Sequence, residues 1–323
     1  MRSAPVRSLG IVLILLGFAA SASASDVKVL QNLFILGADL SKIEISDLEK
    51  MLPLGADGFE LPGTVSTPED CKRIGAFIKS RHLSAGLNVA VDTLRDPSSL
   101  DPFVRAAGIK YLKSRIDCAV EIGATIMAGP IALPWGGFYD TDSTRELHDH
   151  FLDPKLEIAK ISMRKVAQYA QDRGIKLALE PLHRHEMHGL NTMTEAAAFI
   201  KQVNHPNFGV CLDPSHEVID GAGPQVYAAL VRDLYDRGTF IYAQVSAPSR
   251  GDVKDSWIPW EPYFRLLKDI RLSSVTVEIM QAMPPFTGRN GCGIRLSRLP
   301  FEDPFRVVGD AIRTTREQWS KIN

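Results

Sequence analysis

Residues 174–186 read GIKLALEPLHRHE, and residues 208–216 read FGVCLDPSH. Each is a short apolar run that stops at a carboxylate, Glu180 in the first and Asp213 in the second, with proline next. Runs this short, bounded by Gly and Pro, fit strands better than helices. Their lack of polar alternation fits strands covered on both faces, as in a parallel sheet. The flanking segments have helical period: 153–174, opening at Asp153-Pro154 and closing at Gly174, and 194–203. Helix, strand, helix, strand is the repeating unit of an α/β fold.

The same alternation extends in both directions. Strands are predicted at 28–35, 58–61, 83–91, 125–129, 176–180, 209–212, 240–245 and 274–279. Helices are predicted at 101–121, 224–235, 260–269 and 303–321, besides the two above. Ser46-Asp47-Leu48-Glu49 has the capping-box form, and Thr67-Pro68-Glu69-Asp70 puts a capping Thr before a proline at the first helical position. Eight β-then-α units in a chain of this length predict a closed (β/α)8 TIM barrel. An open doubly wound sheet is the alternative, but no Gly-rich loop follows the first strand. With no repeat, linker or low-complexity stretch, one domain is expected over residues 25–323.

Composition narrows the function. Of 323 residues, 45% are hydrophobic and 23% charged, which excludes a disordered chain and a polytopic membrane protein. Thirty-seven basic against 38 acidic residues give a net charge of -1, so nothing favours nucleic acid or an anionic membrane as partner. Residues 1–24 form a separate object. Arg2 and Arg7 precede an apolar run at 11–20 (IVLILLGFAA), and two A-x-A sites follow. That is the pattern of a cleavable signal peptide; the run is short for a membrane span, although an uncleaved anchor is the rival reading. A periplasmic or secreted protein without stable membrane association after cleavage is expected, with 35 basic and 38 acidic residues left. Of the four cysteines, Cys118 and Cys211 sit in apolar segments and read as buried small hydrophobes. Cys71 and Cys292 can pair only if the fold brings them together.

In a barrel of this kind the chemistry gathers at the C-terminal ends of the strands. Four predicted strands carry a carboxylate there: Glu60, Glu180, Asp213 and Glu278. Buried separately, each would need its own ion pair; gathered together, they would repel one another unless a cation sat among them. Oxygen ligands suit a hard divalent ion such as Mg²⁺ or Mn²⁺, with Co²⁺ as a further candidate. Gln244 lies near the end of the seventh strand, with Arg250 six residues on; His183, Arg184, His185, Glu186 and His188 follow Glu180, and His216 follows Asp213. His183 and His188 also allow a zinc reading, though zinc sites usually have a fuller ligand set. His82, His148, His150 and His205 read as surface residues.

These pieces, GIKLALEPLHRHE, VCLDPSH, YAQVSAPSRG, Ile258-Pro259-Trp260 and VTVEIM, together resemble the sugar isomerase/epimerase barrels. That group includes D-tagatose and D-psicose 3-epimerases, inosose-handling enzymes and hydroxypyruvate isomerase. The resemblance implies a divalent metal held by Glu180, Asp213, Gln244 and Glu278. Gln244 departs from the His of the ketose 3-epimerases and is closer to the hydroxypyruvate isomerase branch. The resemblance also implies substrate-binding roles for Glu186, His216 and Arg250, and an aromatic pocket wall at Trp135, which read alone could equally be a core residue. Glu60 is a further substrate-binding candidate; Trp260 reads as a packing residue.

The activity so implied is isomerisation or epimerisation of an unphosphorylated keto sugar through a metal-bound enediolate. Glu180 and Glu278 would move the proton on opposite faces. A lyase or hydrolase acting on 3-keto glycosides needs the same chemistry, and a non-catalytic sugar-binding barrel is a third reading. Metal-dependent AP endonucleases share the barrel, but the acidic mature charge and the export signal oppose that reading. The partner expected is a small-molecule sugar; a homo-oligomer is compatible with the sequence.

Overall fold

Eight parallel strands close into a barrel in chain order. The structure is a computed structural model that describes residues 27–137, 145–281 and 301–322, without the side chains of 145–151 and 255. The strands are β1 Lys28–Asn32, β2 Gly58–Pro62, β3 Ser84–Asn88, β4 Ile126–Gly129, β5 Lys176–Leu179, β6 Phe208–Leu212, β7 Phe240–Ser246 and β8 Ser274–Glu278. Lys28 lies opposite Ser274, so β8 pairs back onto β1 and no edge remains.

The helices are α1 Ile45–Met51, α2 Pro68–Ser80, α3 Pro102–Ile122, α4 Arg145–Gln171, α5 Met193–Val203, α6 Pro214–Ile219, α7 Pro224–Asp236, α8 Trp260–Asp269 and α9 Pro304–Lys321. One apolar core lies between strands and helices, with residues such as Val29, Phe59, Leu177, Phe264 and Trp319 buried in it. Inside the barrel, Ala128, Ala178 and Cys211 pack with Tyr242. These residues are small because the Tyr242 ring fills the lumen; even a methyl at Gly86 would sit 3.3 Å from its hydroxyl. That hydroxyl bonds Thr276, which closes a floor beneath the C-terminal ends of the strands.

Several local expectations change. Residues 33–35 leave the strand as a 3-10 turn, because the Asn32 side chain accepts from Phe34 N–H at 2.8 Å. Helix α1 starts at Ile45 with Glu44 as its N-cap, so the box at Ser46 is not used. The Thr67–Asp70 box does form. Helix α4 begins at Arg145, which leaves Pro154 inside it. The short α6 was not foreseen; Asp213 caps it, accepting from Ser215 N–H at 2.7 Å.

Cys118 is buried, but it is not a simple hydrophobe: it forms a disulfide with Cys71. Helices α2 and α3 come close enough because Gly75 faces α3, where a β-carbon would fall 2.2 Å from the Glu121 carbonyl oxygen. Cys211 is a buried free thiol, as read. Residues 1–24, Cys292 and the side chains of His148 and His150 lie outside the described residues. Among the described residues no helix is long and apolar enough to cross a membrane.

Candidate active site

The period of two along a strand alternates side chains between lumen and helix layer. Two residues beyond Ala178 comes Glu180, and two beyond Cys211 comes Asp213. Two beyond Tyr242 comes Gln244, and two beyond Thr276 comes Glu278. Ala178, Cys211, Tyr242 and Thr276 of the floor are therefore each followed one layer up by a candidate ligand, whereas Ala128 is followed by Pro130. A small cavity of 100 Å³ opens above them, lined among others by Asn88, Trp135, Glu180, Glu186, His216 and Glu278. A larger groove of 1110 Å³ runs along α4 and α5; Arg184, His185 and His188 line it, but none of the strand-end carboxylates does.

Arg250 crosses this site. Its Nη1 donates to Asp213 Oδ2 at 2.7 Å and also to Glu278 Oε2; its Nη2 lies 2.8 Å from His216 Nε2. Asp213 further accepts from the Ser246 hydroxyl. His216 Nε2 is 3.4 Å from Asp213 Oδ2 and 3.6 Å from Glu180 Oε1. At the rim Glu186 is held by the Trp135 indole N–H at 3.0 Å and by His183 Nε2 at 3.2 Å. Trp135 is thus a half-buried wall of the pocket, while Trp260 packs, its indole donating to the Val253 carbonyl at 3.0 Å.

Electrostatics separate the carboxylates. Burial opposes the charge on Asp213, but Arg250, His216 and Ser246 outweigh it and hold this carboxyl well below the usual range. Burial, with the negative Asp213, Glu180 and Glu60, pushes Glu278 well above it despite Arg250. Glu186 is also buried, yet the hydrogen bond from His183 and the charges of His216 and Arg250 bring it down to about 2. His216 is raised: burial opposes its protonation and the Asp213 charge more than compensates.

The donor set fits a divalent cation. Glu180, Asp213 and His216 each offer one ligand atom, all within 4.8 Å of one another. Among the described residues the side-chain oxygen Oε1 of Gln244 is buried with no hydrogen-bond partner, an acceptor that a cation would satisfy. His183, Glu186 and His216 form a second group with the same mutual reach.

Residues 48–286 match the family described as Xylose isomerase-like TIM barrel. The chain belongs to that family. It is 25% identical to the ketose 3-epimerase of Arthrobacter globiformis over 221 residues, 68% of this chain and 71% of that protein. It is 28% identical to the L-ribulose 3-epimerase of Methylomonas sp. strain DH-1 over 190 residues, 58% of this chain but only 60% of that protein. A solved structure from Anabaena variabilis, described as a candidate sugar phosphate isomerase/epimerase, superposes with a TM-score of 0.83 at 29% identity. It covers 92% of this chain and 99% of its own. With epimerases as its named relatives, this xylose isomerase-like barrel is an isomerase-class enzyme.

The structure of this xylose isomerase-like barrel brings Glu180, Glu278, His216, Glu186, Arg250 and Trp135 around one cavity, with Asp213 held beside it by Arg250. Glu60 is placed otherwise. It is the third residue of β2, fully buried one layer lower, and it does not line the cavity. Asn32, Asn88 and Ser246 were missed. They end β1, β3 and β7, so the strand-end signal that marked the carboxylates applied to them equally; they carry no charge and drew no attention.

Proposed function

We propose that this protein is a divalent-metal-dependent isomerase or epimerase of an unphosphorylated keto sugar. The observation that carries the reading is that Glu180 and Glu278, from strands on different sides of the barrel, line one small cavity with His216 and Arg250. A bound Mg²⁺ or Mn²⁺ would polarise the substrate carbonyl and so acidify the neighbouring C–H. Glu180, Asp213, Gln244 and Glu278 are the residues that would hold it. One of the two glutamates takes the proton from the carbon beside the carbonyl, and the other returns it. Return to the opposite face of that carbon is epimerisation; return to the neighbouring carbon is aldose–ketose isomerisation. His216 and Glu186 orient hydroxyls from the rim, and Trp135 closes one wall.

The cationic side chains described at the cavity favour an unphosphorylated substrate. Among the described residues lining the cavity, Arg250 is the single arginine or lysine, and Asp213 and Glu278 already engage it. Export through the signal at 1–24 makes the enzyme periplasmic or secreted, a placement the Cys71–Cys118 disulfide supports. Incubating Mn²⁺-loaded protein with ketoses, inososes and 3-keto glycosides in deuterated water tests the reading. Deuterium should enter at the carbon beside the ketone of one ketose, with an epimer or aldose as product. Cleavage of a 3-keto glycoside instead would establish the lyase or hydrolase reading. No exchange with any member of the panel would refute the proposal.

A further inference from the structure

Glu60 lies under the site with no solvent exposure, and three side-chain amides converge on it. Asn32 Nδ2 donates to Glu60 Oε2 at 2.5 Å and Gln244 Nε2 does so at 3.4 Å; Asn88 supplies a third hydrogen bond. An amide has a donor end and an acceptor end, so whatever engages one end sets the direction of the other. A carboxylate oxygen accepts. Glu60 thus takes the NH2 group of Gln244 through Oε2, and among the described residues the Gln244 side-chain oxygen Oε1 is left buried without a partner. The amide of Asn32 is set in the same way from its other end, since its Oδ1 accepts from Phe34 N–H.

We propose that Glu60 is a positioning residue, which holds Gln244 by its NH2 group so that the carbonyl oxygen is the end offered to a cation. The inference rests on the metal reading above. It also accounts for a glutamine on β7: a neutral amide can hydrogen-bond a buried carboxylate and keep one oxygen free, whereas a second carboxylate would repel it. The same hub reaches both proposed bases. Asn32 Nδ2 is 3.4 Å from Glu278 Oε1, and Asn88 Nδ2 is 3.5 Å from Glu180 Oε2.

The test is a double-mutant cycle read by calorimetric titration of Mn²⁺ into chelator-treated full-length protein. Glu60→Met removes the acceptor. It should weaken Mn²⁺ binding about 10- to 100-fold, the usual effect of losing a group that orients a metal ligand. Gln244→Glu supplies a ligand with two equivalent oxygens that needs no orienting. In that background Glu60→Met should leave Mn²⁺ affinity unchanged or raise it. Should Glu60→Met fail to fold, Glu60→Gln carries the same comparison: a several-fold loss in the parent background and none in the Gln244→Glu background. Equal losses in both backgrounds, or no loss in either, would overturn the positioning role alone. An unsubstituted protein that binds no Mn²⁺ at millimolar concentration would overturn the metal reading and this inference with it.

Discussion

Arg250 Nη1 lies 2.7 Å from Asp213 Oδ2 and bonds Glu278 through the same atom. One guanidinium thus bridges two carboxylates proposed as metal ligands, from a backbone held in the left-handed region at φ 52°. Without a metal, Arg250 supplies the positive charge that these acids require. Arg250→Met should therefore lower the stability of chelator-treated protein by about 3–5 kcal/mol, the range for breaking a buried ion pair. Added Mn²⁺ should raise the thermal midpoint of the variant more than that of the parent. Equal shifts in both proteins would show that Arg250 and the cation do not serve the same carboxylates.

Asp213→Asn should leave the fold intact, because the amide oxygen can still accept from Ser215 N–H and cap α6. It removes one of three negative ligands, so the Mn²⁺ content retained after dialysis should fall sharply. Retention equal to the parent would remove Asp213 from the proposed ligand set.

Glu180→Gln and Glu278→Gln each keep a carbonyl ligand and lose a base. Turnover should drop by about 10²–10⁴-fold in each case, measured with bound metal quantified separately. In an epimerase one variant should still exchange solvent deuterium into substrate without net inversion. Full turnover of metal-loaded Glu278→Gln would transfer the second base to Glu186 or His216.

Glu217 is buried on α6, where it accepts from Met193 N–H at 2.7 Å. Burial pushes its carboxyl up to about 7. The folded state thus prefers the protonated form. This contribution to stability is complete below the ordinary carboxyl range and is lost as pH rises through about 7, a difference on the order of 3 kcal/mol. Glu217→Gln keeps the acceptor and does not ionise. The fall in thermal midpoint of the parent between about pH 5 and about pH 8, a range chosen to bracket the shift, should flatten in the variant; parallel curves would assign the slope to other groups.

The Cys71–Cys118 disulfide ties α2 to α3 across 47 residues of sequence. Cys71→Ser, or reduction of the parent, should lower stability by about 2–4 kcal/mol, read as urea midpoints with and without reductant. An unchanged midpoint would show that the helix packing around Gly75 suffices alone.

Legibility of the site followed the range of the interactions involved. Glu180, Asp213 and Glu278 were readable because each stands at the end of its own apolar run, beside its own turn residues. Glu60 was misjudged by one layer. It too stands near the end of a run, but its height in the lumen depends on pairing with β1 and β3, where it lies opposite Asn32 and Gly86. Asn32 and Asn88 stand at strand ends as well, and only the carboxylate between them gives them a role.

By itself the sequence determined the alternation of strands and helices, the closed parallel barrel and the end of it at which carboxylates gather. Those features arise from periodicity, caps and breakers within a few residues of one another. Tertiary structure decided that Cys118 bonds Cys71, that Arg250 bridges Asp213 and Glu278, and that Glu60 meets Gln244 from 184 residues away. Such contacts are set by strand register and helix approach around a closed barrel. The direction of a buried amide depends on which acceptor that register brings beside it.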